Sequence, residues 1–153
     1  MDMLAMQIEF QHQVAKREGC IELLEFLKQH GYPCWLATNA DCAGLSFKLK
    51  AMHLSHYFDV IVSSESLGYA KERVEFWQQL QKLHPFDLKN CYFIDDTEQV
   101  LAGAQAFGIE NLFTIAKPSS KKAARTQANY PMLDQLTDFI DILQQVEEHK
   151  TYA

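Results

Sequence analysis

Three short stretches of this sequence carry residue types able to handle a phosphoryl group and a divalent cation. Thr38-Asn39 ends one apolar run, Asp95-Asp96 ends another, and Lys71 stands in the segment between them. Adjacent carboxylates are hard oxygen ligands of the kind Mg²⁺ takes. A lysine offsets phosphoryl charge, and a hydroxyl donates to a phosphoryl oxygen. Each stretch alone has a plainer reading. Asp-Asp-Thr after a strand can cap a helix, Thr-Asn can make a cap or turn, and a single lysine usually lies in solvent. Their weight comes from their order and from the places they hold, at or just after the ends of strand-like runs. In an open parallel sheet those ends form one rim, and ligands gather there.

The elements that must build that rim follow from apolar spacing. Cys20, Leu23, Leu24 and Leu27 recur at helical period, with Gly31 as the stop. Residues 5–16 are also helix-compatible. Cys34-Trp35-Leu36-Ala37-Thr38 is short and continuously apolar, as a strand buried on both faces should be. Asn39-Ala40-Asp41 can cap the next helix, lined by Leu45, Leu49 and Met52. A second strand is predicted over 58–63, and a loop with Gly68 follows. Phe76, Trp77, Leu80 and Leu83 then mark a helix that stops before Pro85. A third strand runs from Cys91 to Ile94. Thr97 can cap the helix of Val100, Leu101, Ala104 and Phe107, which Gly108 closes. A fourth strand spans 112–115, residues 117–130 form a loop with a short helix, and Leu133, Leu136, Ile140 and Leu143 line the last helix. Apolar strands alternating with helices predict an α/β domain with an open, mostly parallel sheet covered on both faces, a Rossmann-like three-layer sandwich.

Composition bounds the function. The chain has 153 residues, of which 48% are hydrophobic and 22% charged, as expected of one folded domain. No apolar run approaches the roughly 18 residues a membrane span needs. The opening residues lack a basic segment followed by an apolar one, so the expected compartment is the cytoplasm. A net charge of -6 argues against nucleic acid as a partner. The basic cluster of Lys117, Lys121, Lys122 and Arg125 lacks interleaved aromatics and is expected to be a solvated face. Cys20, Cys34, Cys42 and Cys91 form no C-x-x-C pair. Cys42 is followed six positions later by Lys48 rather than arginine, which excludes a cysteine-phosphatase loop. The chain also lacks G-x-G-x-x-G, which disfavours a dinucleotide site.

The same residues carry a family resemblance. Leu36-Ala37-Thr38-Asn39 resembles the second motif of the haloacid dehalogenase phosphatases, Gly68-Tyr69-Ala70-Lys71 the lysine motif, and Tyr92-Phe93-Ile94-Asp95-Asp96-Thr97 the acidic fourth motif. Ala102, Ala104, Phe107, Gly108 and Ile109 extend the match, which runs from about Lys16 to Leu143. The stretch from Ser63 through Lys71 to Trp77 is similar to bacterial purine mononucleotidases acting on IMP and GMP. The resemblance implies a Mg²⁺-dependent phosphoaspartyl mechanism. It implies that Thr38 holds a phosphoryl oxygen, that Asn39 shapes that pocket, and that Lys71 stabilises nucleophile and phosphoryl group. It makes Asp96 the direct metal ligand, with Asp95 binding directly or through water. The implied partner is a small phosphorylated metabolite of the purine nucleotide class, with no nucleic acid and no membrane.

The sequence also departs from the family. The first motif, D-x-D-x-T/V after an apolar strand, does not occur, and no residue takes the nucleophile's role. Ala70 and Glu72 flank the lysine where relatives often carry proline. The expected domain is therefore a single partial one over 1–153, a truncated form with most of the cap absent and residues 5–18 as its last helix. Without the family's central strand, the strands from Cys34 and from Cys91 should be adjacent or leave an open slot, whose edges invite self-association. Two functions stay open at this point: a phosphoric monoester hydrolase that is inactive by itself, and a non-catalytic domain that binds metal, phosphate or another protein.

Overall fold

The computed structural model describes residues 3–6, 19–39, 41–51, 53–116 and 129–152. In chain order they form β1 (Met3–Met6), α1 (Cys20–Gln29), β2 (Cys34–Thr38), α2 (Cys42–Ala51), β3 (Val60–Ser63), α3 (Ser64–Leu67), α4 (Val74–Leu83), β4 (Cys91–Ile94), α5 (Glu98–Phe107), β5 (Asn111–Ile115), β6 (Met132–Leu133) and α6 (Asp138–Tyr152). The sheet has the order β3-β2-β1-β4-β5-β6, and every pairing is parallel.

The predicted alternation holds because each inner strand is apolar on both sides. Cys34 and Leu36 of β2, with Ile94 of β4, face a core completed by Leu23, Leu24 and Leu27 of α1, Leu49 of α2, and Phe139 and Leu143 of α6. Trp35 and Ala37, with Phe93, face the opposite core, built from Phe76, Trp77 and Leu80 of α4 and Leu101 and Ala104 of α5. This is a three-layer α/β sandwich. Side chains alternate between faces with period two, so a continuously apolar strand needs two cores.

The central slot is filled, so the strands from Cys34 and from Cys91 are neither adjacent nor separated by an open slot, contrary to expectation. β1 lies between β2 and β4, with Met6 level with Leu36 on one side and with Ile94 on the other. The two flanking strands would otherwise each present a row of unpaired N–H and C=O groups inside the sheet. A four-residue apolar segment that pairs on both sides satisfies them. Ala5 and Met6, read from sequence as part of a helix, are therefore strand. Residues 7–18, the remainder of that helix, lie outside the described residues. The open central edge on which self-association was expected is paired.

Smaller corrections follow from position. Leu83, placed on the buried stripe of its helix, ends α4 and is 61% exposed. Leu133 belongs to β6, and Leu136 precedes α6, although both are buried. The second strand is shorter than predicted and begins at Val60, although Asp59 before it still donates its N–H to the Cys34 carbonyl at 2.8 Å. Its carboxylate accepts from the Cys34 N–H at 2.9 Å. Almost all of the 117–130 segment, including its basic cluster, lies outside the described residues.

Candidate phosphoryl site at the strand rim

Because all strands run the same way, the ends of β2, β1 and β4 meet at one rim. Thr38 closes β2 and is 4% exposed. Asn39 follows it, and Asp95 and Asp96 follow β4, with Asp95 fully buried and Asp96 nearly so. Lys71 reaches the same place from the other core. The Ser63–Ser66 capping box opens the short helix α3, and Gly68 ends it at φ 84. The chain then makes a tight turn, closed by the Arg73 N–H on the Ala70 carbonyl at 3.0 Å. The turn carries Lys71 over the sheet.

The Lys71 ammonium donates to Asp95 Oδ2 at 3.0 Å and to the Ala37 carbonyl at 3.4 Å. Ala37 is on β2 and Asp95 is beyond β4, so the cation bridges the ends of the two strands that flank β1. Both partners of the ion pair have side chains 0% exposed. A lone lysine predicts a solvated surface group, yet this one is among the most buried side chains of the protein. A buried ion pair is a costly way to fill a core, since desolvation consumes much of the attraction. Its presence at a ligand-gathering rim therefore points to chemistry rather than to packing.

Asn39 ties the rim together. Its Oδ1 accepts the Lys71 N–H at 3.1 Å, and its Nδ2 donates to Glu72 Oε1 at 2.8 Å. The Asn39 carbonyl accepts from the Ser64 hydroxyl at 3.3 Å. Asp95 accepts at both oxygens, Oδ2 from Lys71 and Oδ1 from the Thr97 N–H at 2.8 Å. Thr97 stands at the N-cap of α5 as predicted, but its hydroxyl does not cap the helix. It donates to Asp96 Oδ1 at 3.3 Å.

The structure thus links Asn39, Lys71 and Asp95 by direct bonds, and sets Thr38 and Asp96 beside them in the chain. Three contributors escaped the sequence reading. Glu72 holds Asn39. Trp77, read only as core, donates its indole N–H to the Lys71 carbonyl at 3.0 Å. Gly103 brings α5 against the backbone of Lys71 and Glu72. A signal existed for the last two. A buried tryptophan needs an acceptor, and a glycine inside a helix costs about 1 kcal/mol and hints at close approach.

For a divalent cation the available donors are the Asp95 and Asp96 carboxylates. No group of three or more His, Cys, Asp or Glu side chains able to hold a metal occurs among the described residues. Mg²⁺ is commonly held by one or two carboxylates, with waters and substrate phosphate completing its shell. The donor set fits that mode and does not form a closed protein cage.

The buried cysteines lie away from this chemistry. Burial raises the Cys34 thiol well above its ordinary range, with the Asp59 charge adding to the effect. Burial pushes Cys91 up to about 12. Neither thiol is a nucleophile at neutral pH. No helix among the described residues is long and apolar enough to cross a membrane.

Comparison with known proteins gives this arrangement a context. The chain is 31% identical over 134 residues to the GMP/IMP nucleotidase YrfG of Escherichia coli (strain K12), covering 88% of this chain and 60% of that protein. It is 30% identical over 129 residues to the ribulose-1,5-bisphosphate 5-phosphatase of Halopiger xanaduensis, covering 78% and 54%. The chain therefore spans little more than half the length of these relatives. Among solved structures, a HAD phosphatase from Thermococcus onnurineus superposes with a TM-score of 0.68 at 20% identity, over 82% of this chain and 57% of that one. A protein from Listeria monocytogenes serotype 4b superposes with a TM-score of 0.72 at 16% identity, over 97% and 99%. At these identities the structures show a shared fold. A sequence model of the haloacid dehalogenase-like hydrolases matches residues 2–108, from β1 through the acid pair to the end of α5, and the chain belongs to that family.

Proposed function

We propose that this chain is the phosphoryl-binding part of a phosphoric monoester hydrolase, that it takes purine mononucleotides, and that by itself it binds them without turning them over. The observation that carries the reading is the Lys71–Asp95 pair, fully buried at 3.0 Å under the strand rim. Lys71 supplies positive charge for the phosphoryl oxygens in a place of low dielectric, where it acts more strongly than in water. Thr38 donates its hydroxyl to one phosphoryl oxygen. Asn39 holds the lysine turn in reach. Asp96, with Asp95 beside it, would hold Mg²⁺, and the bound ion would neutralise phosphoryl charge. The likeness to a GMP/IMP nucleotidase supports the purine nucleotide as ligand. The net charge of -6 weighs against nucleic acid.

The inactive half of the reading rests on sequence. No D-x-D string occurs anywhere in the chain, and after β1 it continues Gln7-Ile8-Glu9. Charge stabilisation without a nucleophile leaves only residual catalysis. Titration calorimetry with IMP, GMP and inorganic phosphate in Mg²⁺ tests binding, and phosphate release tests turnover. Binding should be lost in Lys71→Ala and in Thr38→Ala, with no release above background. Absence of binding by the wild type would overturn the site. Magnesium-dependent hydrolysis that disappears in Lys71→Ala would overturn the inactivity.

A further inference from the structure

Lys71 poses a mechanical problem. Its charge sits at the end of a flexible four-carbon stem, and such a charge has a defined place only if the Cα that carries it is fixed. The turn over 70–73 has no regular secondary structure of its own to do this. Its peptide groups are instead gripped from outside. On the amide side, Asn39 Oδ1 takes the Lys71 N–H. On the carbonyl side two residues from different helices converge. The Trp77 indole N–H donates to the Lys71 carbonyl at 3.0 Å, from a ring that is 0% exposed and locked edge-on against Phe76 and Phe93. Gly103, in the second turn of α5, faces the same carbonyl and the next. A Cβ at position 103 would stand 2.6 Å from the Glu72 carbonyl oxygen and 3.0 Å from that of Lys71.

We propose that Trp77 and Gly103 are positioning residues that clamp the peptide after Lys71 and so fix the lysine ammonium on Asp95 and the β2 end. The clamp deepens the reading of Lys71 as the phosphoryl-binding cation, and rests on it for its functional consequence. The atoms a Cβ at Gly103 would strike are backbone, not the far end of a pliable side chain. The turn must therefore recede by several tenths of an ångström. Hydrogen bonds weaken steeply with distance and misalignment, so such a shift at the root of the stem is felt at its tip. The Trp77→Phe change keeps the packed ring but removes the buried indole N–H that donates to the Lys71 carbonyl. Both residues are buried behind the turn and act through Lys71.

A test that does not depend on ligand binding is acylation of Lys71 by acetic anhydride on the native protein, read by peptide mass mapping. In the wild type Lys71 should resist labelling while exposed lysines react. Loss of a buried partner of this kind is worth about a factor of ten or more, so Lys71 should label at least about ten times faster in Trp77→Phe, and faster than wild type in Gly103→Ala, where the receding turn misaligns the same bond. Leu143→Ala loosens the opposite core and serves as a control for stability alone. It should leave Lys71 labelling within about twofold of wild type, against the tenfold effect of one lost buried hydrogen bond. Inorganic phosphate in Mg²⁺ should bind about tenfold more weakly to both clamp variants. Should Gly103→Ala not fold, Trp77→Phe carries the test. Wild-type labelling in the folded clamp variants would overturn the proposal, as would equal acceleration in Leu143→Ala. If Lys71→Ala binds phosphate as well as the wild type, the phosphoryl reading fails, while labelling still decides the clamp.

Discussion

Lys71→Met removes a buried cation, and the cost can be worked from the geometry. The side chains of Lys71 and Asp95 are both 0% exposed, and their contact is 3.0 Å. Methionine keeps most of the stem volume, so little cavity opens. What remains is Asp95 without its partner. Removing one member of a buried pair costs about 3–5 kcal/mol, because the charge left behind is uncompensated. The Ala37 carbonyl also loses a donor at 3.4 Å. Against a total stability of about 5–15 kcal/mol for a domain, this is a large fraction. At this chain length it lowers the melting temperature by about 6–20 °C. The companion variant Lys71→Met/Asp95→Asn removes the stranded charge, and the asparagine Oδ1 can still accept from the Thr97 N–H. It should recover about 1–3 kcal/mol relative to Lys71→Met. Urea unfolding followed by tryptophan fluorescence measures both. If Lys71→Met cost less than about 1 kcal/mol, the pair would be behaving as a solvated one, and the argument from burial would fall. It would fall too if the double variant were no more stable than Lys71→Met.

Three other outcomes are expected. Mg²⁺ should bind the chain only weakly, with dissociation in the millimolar range, because two carboxylates supply few ligands; a micromolar site by calorimetry that Asp96→Ala abolishes would contradict this. Gly68→Ala should cost about 1 kcal/mol in an unfolding titration, since φ 84 is left-handed and the space around its Cβ is open; no loss would show that the turn relaxes freely. Stability should be at full value below about pH 9 and fall as the pH rises toward about 12, because the folded Cys91 thiol titrates at about 12 instead of 9.0. Cys34, raised further, acts in the same direction, and a flat profile over that window in urea unfolding would count against the burial of both thiols.

Much of the architecture was legible in local pattern. Strands such as β2 and β4 are apolar at every or nearly every position because both of their faces are buried, and that shows in the sequence without any knowledge of neighbours. The rim residues Thr38, Asn39, Asp95 and Asp96 were legible for the same reason, since a polar residue that ends a buried strand can stand only at its end. Lys71 was legible as a candidate but not as a buried group. Its burial depends on Asp95, 24 positions away, and on Ala37, 34 away. Spacing on one segment does not report such partners.

β1 is the clearest case of what only tertiary structure decided. Met-Leu-Ala-Met is too short to show a period, and as an isolated tetrapeptide it has no reason to be extended. It becomes a strand because β2 and β4 each offer it a ladder edge, and pairing on both sides satisfies backbone groups that would otherwise be buried unpaired. Gly103 is the same kind of fact seen from a helix. Its local preference is against helix, and the reason it stands there is the Glu72 carbonyl of a turn about thirty residues earlier. The apolar pattern of this chain determined its layers, its strands' burial and the polar ends of those strands. Non-local pairing determined what fills the middle of the sheet and what holds the lysine.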